Sequence, residues 1–372
     1  MSAPAAPGGG VGVLGTGSYL PPVVVPNAPV AAAAGVTPEW IEAKALIRER
    51  RHALPEQATS DLAVEAARRA LADAGVAAAD LAVVVVSTST PDSPQPPTAS
   101  LVQAALGADG AAAFDVNAVC SGFVYALEVA RALLVAAGDG RPALVVGADV
   151  YSRILDTSDR RTAVLFGDGA GAVVLGAVPA GREVGRAVLH GVGSGSHLIS
   201  VPAGGSRLPA SAQTLAEGQH WFRMDGRGVR EFVEERVPGL VAEVLAGAGW
   251  DAASVDHVVP HQGNGVMLAG LAASLGLPRA RMHTTVAELG NTGSASVPVT
   301  LDAARRAGLL HPGDRVLLLA FGGGMNLAGT AVSWLGSPAE RAAAAGVPLP
   351  RPADRPRQAR RVSPSRAAAS ST

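Results

Sequence analysis

The single cysteine of this sequence, Cys120, stands in AFDVNAVCSGFVYAL, where a strand-like run gives way to a helix-like one. A thiol at a helix N-terminus feels the positive end of the macrodipole and nearby free N–H groups, which favour thiolate. A thiolate is the nucleophile that takes an acyl group from a thioester. The same residue also reads as a packed small hydrophobe, because free cysteine is among the most buried residue types. His261 and Asn264 lie in VDHVVPHQGN, a strand end running into the helix-like GVMLAGLAASLG, which aims the imidazole at a cleft. A structural histidine bonded in a turn has the same pattern. Asn291, in ELGNTGSASVPV, occupies a Gly-bounded loop that opens a helix, where a turn or cap role serves equally well. Two glycine clusters, GDGAG (167–171) and GGG (322–324), follow strands and match neither a P-loop nor a dinucleotide fingerprint. They permit close backbone approach and can present N–H groups to an oxyanion, or simply make turns. Arg160, in LDTSDRRTAVLF, is either an anion contact or a solvated charge.

The elements that must position these groups alternate between strand and helix. LAVVVVSTS (81–89), AAAFDV (111–116) and ALVVGADV (143–150) read as strands, and SGFVYALEVARALLVAAG as a helix with a glycine stop. The pattern returns 174 residues later: LADAG at 71–75 matches LAGAG at 245–249, and ALVVGAD at 143–149 is echoed by LLLAFGG at 317–323. FGDGAGAVVLG has a looser counterpart in FGGGMNLAGTAVSWLG. So long a period excludes a solenoid. It predicts two similar α/β halves, 1–178 with the cysteine and 179–336 with the histidine and asparagine, packed through shared central helices. Functional groups then meet where strand ends and helix starts of both halves converge.

Composition narrows the function classes. The 372 residues are 48% hydrophobic and 16% charged, which excludes a disordered chain, and a net charge of −1 gives no reason to expect nucleic-acid binding. One cysteine excludes an internal disulfide and suits a reducing compartment; the histidines show no metal-ligand spacing. The opening MSAPAAPGGG has no basic n-region, and Gly, Asp or Arg interrupts each apolar run, so no membrane segment is expected and the protein reads as cytoplasmic. Seven Arg against two acids give 337–372 a net +5 and leave −6 on 1–336. This Arg/Pro/Ala-rich tail reads as disordered.

Taken in order, LGTGSYLP (14–21), IRERR (47–51), AFDVNAVCSGF, FGDGAGAVVL, PAGGSR (202–207), VPHQGN, GNTGSASVP and AFGGGMNLAG resemble β-ketoacyl-acyl-carrier-protein synthase III, the initiating ketosynthase of the thiolase superfamily. The resemblance spans about residues 11–336 and implies the thiolase-like duplicated αβαβα layered fold. By this resemblance Cys120 accepts the acyl group, and His261 and Asn291 are the decarboxylation pair. The N–H groups of Cys120 and Gly323 form the oxyanion hole, and Phe321 walls the site. Asn264 stands beside the histidine, and Trp40, Lys44 and Arg160 flank the nucleotide end of a coenzyme A donor. The implied reaction loads an acyl primer from a thioester onto Cys120 and then condenses it with a malonyl thioester, with loss of CO₂. No cofactor or metal is implied; an acyl carrier protein is the expected partner and a homodimer the expected assembly.

Three departures from the family pattern carry consequences. Lys44 replaces an Arg, keeping charge without the planar fork. The basic residues that usually follow HQ-x-N are missing, with Arg279 and Arg281 as substitutes, and Gln95 stands where an aromatic often closes the acyl pocket, which implies a primer other than acetyl. Two other functions fit the same residues: acyl transfer from Cys120 to an alcohol or amine without decarboxylation, and a catalytically silent ketosynthase partner.

Overall fold

The computed structural model describes residues 10–336, so the expected tail, 337–372, lies outside the described residues. Two five-stranded sheets form the frame. The first runs Gly10–Tyr19, Gly169–Val178, Ala143–Asp149, Val83–Ser87, Ala112–Val116, and the second Val188–Gly191, Asn326–Ser333, Arg315–Gly322, His257–Pro260, Arg281–Met282. In each, the first three strands pair antiparallel and the last three parallel, so the two sheets share one topology.

The 174-residue offset holds at the elements near the site. It relates the end of Val83–Ser87 to His261, Asn117 to Asn291, the 3₁₀ turn Val119–Ser121 to Gly293–Ala295, and the helix starts Gly122 and Ser296. Cys120 and the His261–Asn291 pair are thus carried by equivalent corners of the two halves.

Period-two alternation sets which side chain enters which layer. Val83 and Val85 of the first sheet, with Val316, Leu318 and Ala320 of the second, pack on Phe123, Val124, Leu127, Val297 and Leu301 of two central helices, Gly122–Ala137 and Ser296–Arg306. Val84 and Val86 turn the other way, onto Leu62, Ala66 and Ala70 of Thr59–Ala74, while Leu317 and Leu319 face Val237, Leu240 and Val244 of Gly226–Ala248. The result is five layers, αβαβα, as the sequence predicts. Leu127 is 1% exposed, and truncating such a side chain to Ala costs about 2–5 kcal/mol.

The sequence expectation that Gly, Asp or Arg interrupts every apolar run needs one correction. Val119–Ala137 is, among the described residues, a helix long and apolar enough to cross a bilayer. Its two charges, Glu128 and Arg131, are helix formers that leave it unbroken and pair with each other at 2.7 Å. Its apolarity reflects its place between two sheets, where Phe123, Val124 and Ala130 are fully buried.

Candidate active site

Cys120 occupies the turn Val119–Ser121 at the head of the first central helix and is 5% exposed. The preceding Val119 has φ +49°, a region that β-branched residues rarely enter and that costs on the order of 1–3 kcal/mol. Surrounding contacts hold it there: Asn117 Oδ1 accepts from the Val119 N–H at 3.1 Å, and Ser121 Oγ donates to the Asn326 carbonyl of the second sheet at 2.9 Å. A reciprocal bond runs from Ser294 Oγ, in the equivalent turn, to the Ser87 carbonyl of the first sheet at 2.8 Å. These two bonds tie the corners of the halves together.

His261 leaves the end of strand His257–Pro260 with its N–H bonded to the Leu319 carbonyl at 2.8 Å. Its Nδ1 pairs with Ser296 Oγ at 2.7 Å, and its ring meets Phe321 edge-on at 5.3 Å. Burial pushes the imidazole down to about 3, with a backbone bond to Gly293 acting in the opposite sense, so the ring is neutral. A Cβ on Gly263 would lie 3.3 Å from Nε2, so glycine there keeps the outer nitrogen open. Asn291 is fixed by its N–H to the Leu165 carbonyl at 2.8 Å and its carbonyl to the Gly167 N–H at 3.0 Å. Its Oδ1 accepts from the Gly293 N–H at 2.9 Å, which turns Nδ2 outward as a donor.

Cys120, His261 and Asn291 line one cavity of about 760 Å³, which also contains Phe321, Trp40, Lys44, Asn264 and Arg160. One sequence expectation changes at this point. The helix terminus was expected to favour thiolate, yet burial and the Asp149 charge raise the Cys120 thiol to about 12, outweighing the bonds from its own backbone and Tyr151. Gly322, next to the expected Gly323, lines the cavity beside the cysteine, and a Cβ there would sit 2.6 Å from that of Cys120. Asn264, which lines the cavity, also caps a helix: its Oδ1 accepts from Val266 and Met267 N–H at the start of Gly265–Ser274, and its Nδ2 donates to the Lys44 carbonyl at 3.2 Å.

The GDGAG cluster is likewise structural. Asp168 is fully buried and accepts from the Ala53 N–H at 2.8 Å and from Ser152 N–H and Oγ at 2.9 and 2.6 Å. Arg50 of IRERR is also fully buried, donating to Asn27 Oδ1 and the Val164 carbonyl, each at 2.8 Å.

The cavity mouth is cationic. Arg161, Arg227 and Arg230 line it but pair with Asp159, Glu231 and Glu234 at 3.0, 2.9 and 2.6 Å. Lys44 and Arg160 have no carboxylate partner among the described residues, and Arg160 lies over the Trp40 ring at 5.9 Å. Sequence reasoning missed Ser296, Gly263, Gly322 and Tyr151. The first three sit inside the quoted GNTGSAS, HQGN and AFGGG runs; Tyr151 carries no local signal. Among the described residues no group of three or more His, Cys, Asp or Glu side chains could hold a metal.

Comparison with known proteins matches the chain to one family. A family model described as 3-oxoacyl-[acyl-carrier-protein (ACP)] synthase III matches residues 114–193, and its C-terminal counterpart matches 245–334. The chain is 54% identical over 324 residues to the acetoacetyl CoA synthase NphT7 of Streptomyces sp. (strain CL190), covering 87% of this chain and 98% of that one. It is 42% identical to the β-ketoacyl-[acyl-carrier-protein] synthase III of Caldanaerobacter subterraneus subsp. tengcongensis, covering 87% and 97%. The crystal structure of the priming β-ketosynthase from the R1128 polyketide biosynthetic pathway superposes with TM-score 0.82 at 34% identity, covering 91% of this chain and 99% of that one.

Proposed function

This chain belongs to the 3-oxoacyl-[acyl-carrier-protein] synthase III family of condensing enzymes, and from that premise we propose that it joins a short acyl primer, loaded on Cys120, to a malonyl thioester with loss of CO₂. The observation that carries the reading is that an outward amide donor on Asn291 and a neutral His261 line the same cavity as the thiol. Cys120 attacks the primer thioester, and backbone N–H groups, with that of Gly323 as the second candidate, hold the tetrahedral oxyanion. Loss of CO₂ from the malonyl thioester then places negative charge on its thioester oxygen. In the tautomer in which Nδ1 of His261 accepts a hydrogen bond from the Ser296 hydroxyl, Nε2 carries the proton, and Nε2–H with Asn291 Nδ2–H stabilises the enolate oxygen. The enolate attacks the acyl-Cys120 carbonyl and expels the cysteine sulfur. A transfer without decarboxylation has no use for a second non-titrating donor such as Asn291.

The cationic mouth supports a phosphate-bearing donor, coenzyme A or the phosphopantetheine of an acyl carrier protein. Lys44, Arg160 and Arg223 are the lining charges without a carboxylate partner among the described residues, with Trp40 as the surface on which Arg160 rests. The name of the Streptomyces relative, acetoacetyl CoA synthase, favours acetyl as primer and coenzyme A as carrier of the product, against the non-acetyl primer that Gln95 implied. A homodimer and a cytoplasmic setting are part of the same proposal. The test is intact-mass analysis of the full chain with a panel of acyl thioesters, followed by malonyl-coenzyme A or malonyl-carrier protein. The reading predicts one acyl adduct, lost in Cys120→Ala, and CO₂ release with a β-ketoacyl product. An adduct retained in Cys120→Ala overturns it.

A further inference from the structure

His261 and Asn291 act as a pair, and one short turn, Gly293–Ala295, holds both of them. The Gly293 N–H donates to Asn291 Oδ1 at 2.9 Å, which leaves Nδ2 as the outward donor. Ser296, the residue after the turn, meets His261 Nδ1 at 2.7 Å. The seat of this turn therefore decides where both donors point. That seat is in the other half of the protein, at the end of strand Ala143–Asp149. The Ser294 N–H donates to Asp149 Oδ2 at 2.7 Å. Gly293, at φ +59°, packs so closely that a Cβ on it would lie 2.4 Å from the same oxygen. Gly147 of the strand permits the approach as well, since a Cβ there would meet the Ser294 carbonyl at 2.5 Å.

Asp149 is fixed from its other side by the first half. It is fully buried, and its Oδ1 accepts from the Ser89 N–H at 2.8 Å. The hydroxyls of Ser89, Thr88 and Thr90 donate to the same oxygen at 3.0, 3.1 and 3.1 Å. One backbone N–H thus faces each carboxylate oxygen, one from each half. A carboxylate accepts at both oxygens. An amide of the same shape has a single oxygen and sets its NH₂ against one of the two N–H groups. The internal repeat points to the same contact. Ser294 stands 174 residues after Cys120, and Gly323 stands 174 after Asp149. The amide equivalent to that of the nucleophile is therefore taken up by a carboxylate at the position equivalent to Gly323.

This carboxylate is unfavourable where it stands. Burial raises its proton affinity, with bonds from Ser89 and Ser294 acting in the opposite sense, and its charge opposes ionisation of Cys120. Its position is explained by what it holds. We propose that Asp149 is a positioning residue for decarboxylation, whose carboxylate seats the turn Gly293–Ala295 and through it aims Asn291 and His261 at the malonyl thioester oxygen. The proposal rests on the decarboxylative reading of the site. Cys120 is held by other bonds, from Val119 to Asn117 and from Ser121 to Asn326, so its loading does not depend on Asp149.

The test separates the two half-reactions in the full chain carrying Asp149→Asn. Loading of Cys120 is timed by rapid-quench mass spectrometry. CO₂ release by the loaded enzyme is followed with whichever of malonyl-coenzyme A and malonyl-carrier protein the wild type accepts. A displacement of about 1 Å at the paired donors costs on the order of 10²-fold. We expect kcat for CO₂ release to fall about 10²-fold with KM changed less than about threefold, because the donors act on charge that develops only in the transition state. Loading should hold its wild-type rate or rise, since a charge opposing thiolate is gone. Asp149→Glu keeps the charge and moves the carboxylate by one methylene. It should show the same loss of CO₂ release with loading no faster than wild type. Circular dichroism establishes that each variant folds; should one fail, the other carries the test. The inference is overturned if a folded variant releases CO₂ at the wild-type rate, or if loading and CO₂ release fall together, as a merely structural role would give. Failure of the decarboxylative reading is recognised separately, by wild type that loads Cys120 yet releases no CO₂ from either malonyl thioester.

Discussion

Gly322→Ala concentrates the packing argument in one methyl group. The added Cβ would lie 2.6 Å from the Cys120 Cβ, 3.1 Å from its backbone nitrogen and 3.2 Å from its sulfur. Comfortable carbon–carbon contacts begin near ~3.5–4.0 Å, so one side must retreat by about 1 Å. Neither side yields easily. The cysteine turn is pinned through Ser121 to Asn326 at 2.9 Å and follows a residue already at φ +49°. Gly322 itself ends a central strand paired with Asn326–Ser333. A misplacement of about 1 Å at a reacting group costs on the order of 10²-fold, or about 2.7 kcal/mol in barrier. We therefore expect kcat/KM for acylation of Cys120 to fall about 10²-fold, with overpacking lowering stability by about 1–3 kcal/mol. Rapid-quench mass spectrometry gives the first quantity and urea unfolding the second. A folded variant that acylates within about threefold of wild type would refute the reasoning, because the cysteine would then tolerate displacement.

Other perturbations separate the remaining parts. His261→Ala or Asn291→Ala should lower CO₂ release from the malonyl thioester by roughly 10²–10³-fold while Cys120 still takes up its acyl group, read by trapping both products. With His261 pushed down to about 3, decarboxylation should show no imidazole step between about pH 5 and 8. The same burial makes stability pH-dependent: unfolded imidazoles take up protons near ~6.5, which folded His261 and His283 refuse until about 3 and about 4. These two residues should therefore cost stability progressively as pH falls below that value and leave it unchanged above, as urea titrations at several pH values would record. Arg160→Ala should raise KM for a phosphate-bearing donor about tenfold with kcat nearly unchanged, since a contact at the mouth binds ground and transition states alike.

Much of this protein is legible in one dimension. Strand and helix identities follow from β-branched runs, Ala/Leu periodicity and glycine stops, and the 174-residue echo announces the doubled fold. Cys120, His261 and Asn291 stand out as candidates as well, since each lies just before a helix start, but local pattern leaves each a structural alternative and their joint role comes from the family resemblance. What the sequence could not supply is the environment of those side chains, because it is built by residues distant in the chain. The helix-terminus argument predicts an easily ionised Cys120, whereas layers from both halves bury it beside Asp149 and Tyr151 and raise its proton affinity. Asn264 reads as a site residue by position and does line the cavity, but only the fold shows that its Oδ1 caps a helix and its Nδ2 bonds to the Lys44 carbonyl. Ser296 becomes the partner of His261 only when the second central helix starts beside the strand end. Local propensity is a property of neighbours in sequence, while charge state depends on who excludes water and who stands within a few ångströms, and the fold alone settles both.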